Sequence, residues 1–397
     1  MKQFKTIDDF NFSGKRVLLR ADLNVPIQDD VITDTTRIAR TIPTILELQE
    51  KGAQVIVMSH FGRPKGQQCP EMSLKPIAVE LGRYLNQVVI FSHDCIGQEA
   101  MEMISAVDRD SVIMLENLRF HSEEEENDEN FAKQISDLAD IYVNNAFSCA
   151  HRAHASTEAI TRFLPSAAGR LMQYELEALN NALGNPAPPV AALVGGAKIS
   201  SKIEVLVNLV SKVDQLIIGG GMANTFLYSK GINIGKSLCE TDMIEQAQSI
   251  MKNAMVADCE IVLPIDAVVA PKLEIGINTA VVPINLVPAD HMILDVGPHS
   301  IKDLVKRLET YQTIVWNGPL GAFEIMPFDE GTNAVAREAA RLTRKGDLLS
   351  VAGGGDTIAA LANAGVVDNF SYISTAGGAF LEWLEGKTLP GIAALTE

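Results

Sequence analysis

The stretch RVLLRADLNVP (residues 16–26) sets an apolar run of strand length against a polar exit, and VAALVGGAKIS (190–200) repeats the arrangement with glycine at the exit. Short runs rich in Val, Ile and Leu, alternating with longer segments of helical period, predict βαβ units and parallel sheets, an α/β fold. In the first half the strand candidates are RVLLR (16–20), QVIVMS (54–59), VVIF (88–91), SVIML (111–115) and DIYVN (140–144). In the second half they are VAALV (190–194), QLIIG (215–219), EIVLP (260–264), TIVW (313–316) and DLLSV (347–351). Between the two sets a helical stretch from Arg170 to Leu183 ends in GNPAPPV, where Gly184 and three prolines stop the helix. The domain boundary belongs there.

A chain of 397 residues, at about 150 per domain, holds two to three domains. Its 47% hydrophobic and 21% charged content is that of a globular protein. The balance of 33 basic against 50 acidic residues leaves a net charge of −17, which repels polyanions and argues against nucleic-acid or anionic-membrane partners. Five cysteines (Cys69, Cys95, Cys149, Cys239, Cys259) without a C-x-x-C pair suggest neither a disulfide framework nor a thiolate zinc site, and fit a reducing cytosol. Asp8 and Asp9 stand where a secretory signal would need apolar residues, so the chain is expected to begin close to Met1. Residues 178–197 lack charges but contain Asn180, Asn181, Asn185 and three prolines, which is no membrane-crossing helix. A cytoplasmic protein is expected. The acidic run Glu123 to Glu126 reads as a solvated face or a helix start.

In an open parallel sheet, ligands bind beyond the carboxyl ends of the strands, where loops and helix N-termini gather. Period-two alternation at the exit of the first strand puts Arg20, Asp22 and Asn24 on one face and Leu19, Ala21 and Leu23 on the other. Arg37 opens the next helical segment; His60, Phe61, Gly62 and Arg63 follow the second strand; Arg119 and Arg152 follow later ones. Any one of these arginines reads most simply as a surface ion pair. Together, four guanidinium forks at one sheet edge of an acidic protein call for an anionic ligand such as carboxylate or phosphate.

The second set of strands ends in glycine: Gly195 and Gly196, Gly220 and Gly221, Gly318 and Gly321, and Gly353 to Gly355. A single such turn is often only tight strand-to-helix packing. Four on one edge expose N–H groups that cradle phosphate. Ser201 and Glu204 have capping-box spacing, which predicts Lys202 in the first helical turn with Lys198 just before it. Lysines there oppose the helix dipole unless an anion lies between. Asp356 reads equally well as a helix N-cap or as a Mg²⁺ ligand. Gly231 to Ser237 has one residue too few for a Walker A loop, and GGGMAN lacks the third glycine of a dinucleotide fingerprint. Cys149, His151 and His154 lack an evident fourth ligand for a metal.

Taken in order, RADLNVP (20–26), the TRI segment with Arg37, SHFGRP (59–64), LRF with Arg119, NNAFSCAHRAHAS (144–156), LVGGAKIS (193–200), GGGMANTF (219–226), WNGPLGAFE (316–324) and GGGDT (353–357) resemble the phosphoglycerate kinase family over essentially the full length. The resemblance implies two Rossmann-like domains with parallel sheets facing across a hinged cleft. Residues 1–172, with 386–397 packing back, would bind 3-phosphoglycerate or 1,3-bisphosphoglycerate; 173–385 would bind Mg-ATP or Mg-ADP. It implies substrate contacts at Asp22, Leu23, Asn24, Arg37, His60, Phe61, Gly62, Arg63, Arg119 and Arg152. On the nucleotide side it implies Gly196, Lys198, Lys202, Gly220, Asn317, Glu324 (at the ribose), Gly353, Gly354, Gly355, Asp356 and Thr357. Arg37, Lys198, Gly354 and Gly355 would be catalytic and Asp356 the metal ligand. Phe61 replaces the more usual leucine, and Ser201 an acid or threonine.

The implied reaction is reversible, Mg-dependent in-line transfer of the acyl phosphate to ADP on domain closure, without a covalent intermediate. A monomer acting on small molecules is expected. A non-catalytic nucleotide carrier is the rival reading, and a dinucleotide-dependent dehydrogenase a weaker one.

Overall fold

The computed structural model describes residues 4–29 and 31–396, and the chain divides into two compact units, Met1–Glu177 with Thr388–Glu397, and Ala178–Lys387. The chain passes from one to the other within the helix Arg170–Leu179, which continues as a π-helical turn over Asn180–Gly184.

The first unit contains β1 (Arg16–Arg20), the short hairpin β2 (Ile27–Gln28) and β3 (Val31–Ile32), then β4 (Gln54–Met58), β5 (Val89–Phe91), β6 (Val112–Met114), β7 (Ile141–Asn144) and β8 (Ser166–Ala168). Six of these form one parallel sheet in the order β5-β6-β4-β1-β7-β8. The central strands are buried on both faces, as parallel strands covered by helices must be, and this explains their unbroken apolar runs. The helix Thr36–Glu50 buries Ile38, Ile45 and Leu48 against the sheet, each contributing about 1.5–3 kcal/mol.

The second unit contains β9 (Val190–Val194), β10 (Gln215–Ile218), β11 (Glu260–Val262), β12 (Asp266–Ala270), β13 (Ala280–Pro283), β14 (Met292–Val296), β15 (Thr313–Asn317), β16 (Leu349–Gly353) and β17 (Tyr372–Ser374). Its parallel sheet runs β11-β10-β9-β15-β16-β17, the doubly wound order whose chain direction reverses between β9 and β15. A small antiparallel sheet, β13-β12-β14, was not foreseen, because its strands follow no helical spacer. Among the described residues, no helix is long and apolar enough to cross a membrane.

The reversal point is very closely packed. A Cβ on Gly195 would lie 1.8 Å from the Pro319 carbonyl oxygen, and one on Gly318, whose φ is +106°, would lie 2.1 Å from the Gly195 oxygen. Backbone, unlike a flexible side chain, cannot move aside cheaply. Gly195→Ala is therefore expected to lower stability by about 1–3 kcal/mol. Urea unfolding at an unchanged m value checks this, and an unchanged midpoint would contradict it.

Candidate functional site

In the first unit, the carboxyl ends of β1, β4, β6 and β7 converge on one hydrogen-bonded network. Beyond β1, Asp22 presents both carboxylate oxygens to Arg37 Nη1 at 2.8 Å, and the same nitrogen donates to the Asn24 carbonyl at 3.0 Å. The Ser148 hydroxyl, from beyond β7, also donates to Asp22. Asn24 Oδ1 accepts from the Gly62 amide at 3.0 Å, which ties the exit of β1 to that of β4. Asn117, beyond β6, accepts from the amides of Phe61 and Arg119 at 3.1 Å, and Arg119 Nη1 donates to the Gly62 carbonyl at 2.9 Å.

His60 lies beneath this network. Arg20 Nη2 is 3.1 Å from its Nδ1; a guanidinium can only donate, so Nδ1 accepts and the ring proton sits on Nε2. Burial, and then the charges of Arg20, Arg119 and Arg37, hold the imidazole well below its ordinary pKa. It is neutral at physiological pH.

The network gathers Asp22, Asn24, Arg37, His60, Gly62 and Arg119. Arg63 and Arg152 are exposed; Arg152 Nε donates to His151 Nε2 at 3.2 Å. Leu23 and Phe61 belong to the hydrophobic core, so they offer a ligand backbone rather than side chain.

The acidic run read as a solvated face or a helix start enters with the 3₁₀ turn Ser122–Glu124 and leaves Glu123, Glu125 and Glu126 exposed. Glu124 departs from that reading: it is fully buried, and its carboxylate accepts from the Ser156 amide at 2.9 Å and hydroxyl at 2.6 Å. Arg20, itself 1% exposed, donates from Nε to the same hydroxyl at 2.9 Å. The buried cation supplies the reason for a buried acid. Ser156, Asn117 and Ser148 carry no charge or spacing that would have singled them out.

In the second unit, Lys202 Nζ donates to the Gly195 carbonyl at 2.6 Å and to Asn317 through its carbonyl at 3.1 Å and Oδ1 at 2.6 Å. Asn317 Nδ2 donates to the Gly353 carbonyl at 2.7 Å, while Thr357 Oγ1 accepts from the Gly318 amide at 2.7 Å. Gly220, at φ +67°, leaves room for the Gly196 carbonyl, which lies 2.7 Å from where a Cβ would stand. Lys198, Gly355, Asp356 and Glu324 are exposed.

The expected capping box does not form. The helix begins at Ile203 with Lys202 as N-cap, and Ser201 Oγ donates to the Lys198 carbonyl at 2.8 Å. Three oxygen acceptors draw the ammonium back toward the strand ends instead. Asp356 is likewise not a cap, because the helix Gly355–Asn363 is capped by Gly354 at φ +100°. Its first amides lack intrahelical partners, as at any helix N-terminus. The Gly231 to Ser237 string does not open a helix: the next one, Ile244–Val256, begins only after the 3₁₀ turn Thr241–Met243, and the Lys236 amide donates to the His291 carbonyl at 2.7 Å.

One unit thus offers guanidinium forks around a neutral imidazole, and the other glycine turns, a lysine and a helix N-terminus. That combination is the equipment of an α/β enzyme handling phosphoryl groups. A sequence model described as phosphoglycerate kinase matches residues 7–387. The chain is 57% identical over 397 residues to phosphoglycerate kinase of Agrobacterium fabrum, covering 100% of this chain and 99% of that one. It is 58% identical over 396 residues to that of a Chelativorans species, covering 100% of both. The structure of phosphoglycerate kinase from Coxiella burnetii aligns with a TM-score of 0.94 at 44% identity, over 99% of each chain. That from Pyrococcus horikoshii aligns at 0.79 and 32%, over 98% of each. The chain belongs to the phosphoglycerate kinase family and is a phosphotransferase.

Proposed function

We propose that this chain moves the acyl phosphate of 1,3-bisphosphoglycerate to ADP, reversibly, giving 3-phosphoglycerate and ATP. In this reading the basic edge of the first unit holds the phosphoglycerate and the glycine edge of the second holds the nucleotide. The observation that carries it is the division of equipment: Asp22, Arg37, His60 and Arg119 are linked at one sheet edge, and Lys202, Asn317 and the Gly353 to Thr357 turn at the other.

A mixed acyl-phosphate anhydride is already activated, so no protein nucleophile is required. The bond from phosphorus to the acyl oxygen breaks as one to the terminal ADP oxygen forms. Catalysis then consists of alignment and neutralisation of spread negative charge. Arg37 and Lys198 supply the cationic charge, and the amides of Gly354 and Gly355 the oriented dipoles. Arg63, Arg119 and Arg152 hold substrate anions, and Glu324 the ribose. Asp356, an exposed carboxylate in the first turn after the glycine loop, fits a nucleotide-bound Mg²⁺, which takes only one or two protein carboxylates. When bound, that ion neutralises phosphate charge. We place the enzyme in the cytoplasm as a monomer.

A coupled assay for ATP formed from 1,3-bisphosphoglycerate and ADP tests the reading. Binding of both ligands without transfer would support a carrier instead. Small-angle scattering with neither, one and both ligands tests closure, expected as compaction that needs both.

Lys202 adds a pH dependence. Burial lowers its pKa to about 8, against an opposing pull from Asp356. Phosphate beside it favours the ammonium, so binding above about pH 8 takes up a proton and affinity falls as pH rises; below about pH 7 the lysine is already charged and the dependence flattens. Calorimetry in two buffers of different ionisation enthalpy should detect uptake at about pH 8.5 that Lys202→Met abolishes. Equal uptake in both proteins would count against Lys202.

A further inference from the structure

At the carboxyl ends of β5 and β6, three side chains with different metal-binding chemistry converge. Asp94 and Cys95 lie in the turn between β5 and the helix Gly97–Ala106, and His121 follows the 3₁₀ turn Leu118–Phe120 beyond β6. Their ligand atoms, a carboxylate oxygen, a sulfur and a ring nitrogen, all lie within 4.8 Å of one another. Asp94 Oδ1 accepts from the Cys95 amide at 2.7 Å and lies 2.8 Å from His121 Nε2. The imidazole packs on Phe131, with ring centroids 5.1 Å apart. Cys95 is fully buried, whereas the side chains of Asp94 and His121 are 37% and 25% exposed, so one side of the trio is open to water.

A second trio, Asp22, His60 and Cys149, satisfies the same distances, but cations already occupy it. Arg20 Nη2 stands 3.1 Å from His60 Nδ1 and 3.7 Å from Cys149 Sγ, and Arg37 holds Asp22. Around His121 and Cys95 the field is of the other sign, since the charges acting on them come from Asp94, Glu123 and Glu124. A divalent cation is attracted there.

We propose that Asp94, Cys95 and His121 bind a borderline-soft divalent metal of the zinc class, at a site separate from that of the nucleotide's Mg²⁺. Thiolate, imidazole and carboxylate are zinc's donors, and bonds of about 2.0–2.3 Å in tetrahedral geometry need ligand atoms about 3.5 Å apart, so the 2.8 Å Asp94–His121 contact opens slightly while all three atoms stay within the observed 4.8 Å. Water from the open side completes the fourth position. The metal replaces the thiol proton, and the His121 nitrogen facing Asp94 gives up its hydrogen bond to become a ligand, so binding releases at least the thiol proton. Mg²⁺, which requires octahedral oxygen ligands, competes poorly. The metal pins the loop after β5 to the segment carrying Arg119, two residues before His121.

Cobalt(II) reports the site directly. Titrating the full chain with Co²⁺ should give one equivalent of bound metal, with a thiolate-to-cobalt band in the near ultraviolet and intense visible bands of tetrahedral type. Zn²⁺ should displace it and excess Mg²⁺ should not. Cys95→Ser should lose the near-ultraviolet band, while Cys69→Ser and Cys149→Ser keep it. His121→Asn, which retains a hydrogen-bonding partner for Asp94, should lose most of the binding, and it serves as the second variant if Cys95→Ser does not fold. No band from the native protein at millimolar Co²⁺, or a band that survives Cys95→Ser or His121→Asn in folded protein, would overturn the proposal.

Discussion

Arg37→Ala should fold normally and lose about 10³-fold or more in kcat, the scale seen when a guanidinium that neutralises a migrating phosphoryl group is removed. The fold should tolerate the change, because the Arg37 side chain is 38% exposed and its partner Asp22 keeps the Ser148 hydroxyl. With its cationic end open but Asp22 only 13% exposed, the pair falls between the about 1 kcal/mol of an exposed ion pair and the about 3–5 kcal/mol of a buried one. Two effects on the reaction add. The variant lacks the cation, and it leaves Asp22 as an uncompensated negative charge facing an anionic substrate. Arg37→Lys should recover only part of the rate, since a single ammonium cannot hold the Asp22 carboxylate and the Asn24 carbonyl and also present a planar fork to phosphate. Steady-state rates beside circular dichroism and urea midpoints decide the matter. A folded Arg37→Ala enzyme near native rate would remove Arg37 from its assigned role.

The parallel sheets were legible because their strands are buried on both faces and read as unbroken apolar runs; β1 and β9 match the expected bounds residue for residue. β8 and β17, each three residues long at a sheet edge, carry too little pattern to stand out. β12, β13 and β14 escaped because β13 is mostly exposed and its apolar residues do not alternate with a buried face. Much of the candidate site could be found from a single rule, that chemistry gathers after strand ends, which leads to Asp22, His60, Arg119, Lys202, Asn317 and Asp356 alike. The rule does not say which of these side chains turn inward. Lys202 abandons its helical turn because carbonyl oxygens at two strand ends, the nearby Gly195 and the distant Asn317, outcompete local capping. That preference depends on the meeting of β9 and β15, which no local window contains. The supporting groups were hidden for a similar reason: Asn117 and Ser156 matter through whom they touch, and a hydroxyl or amide in sequence announces no partner.

Glu124→Ala should be the most destabilising single change in the first unit that leaves every substrate-facing group in place. Arg20 and Glu124 do not touch directly; Ser156 joins them, accepting from Arg20 and donating to Glu124. Burial alone pushes the Glu124 carboxyl up, and Arg20 followed by the Ser156 donors pulls it partly back. Deleting the carboxylate leaves the Ser156 amide unsatisfied, opens a cavity, and strands the Arg20 guanidinium without its nearest buried counter-charge on that side. Removing one member of such a buried arrangement costs about 3–5 kcal/mol. Glu124→Gln keeps an acceptor and the volume, and should cost about 1–3 kcal/mol. Because Arg20 also holds His60 Nδ1, loosening it should disturb the site behind Arg37. KM for 3-phosphoglycerate should then rise more than kcat falls, unlike Arg37→Ala, where kcat takes the larger loss. Urea unfolding of both Glu124 variants and of Arg20→Met, alone and combined, separates the pair energy from the rest. A Glu124→Ala protein within about 1 kcal/mol of native stability would mean that the buried charges do not depend on each other, and the positioning of His60 would then need another source.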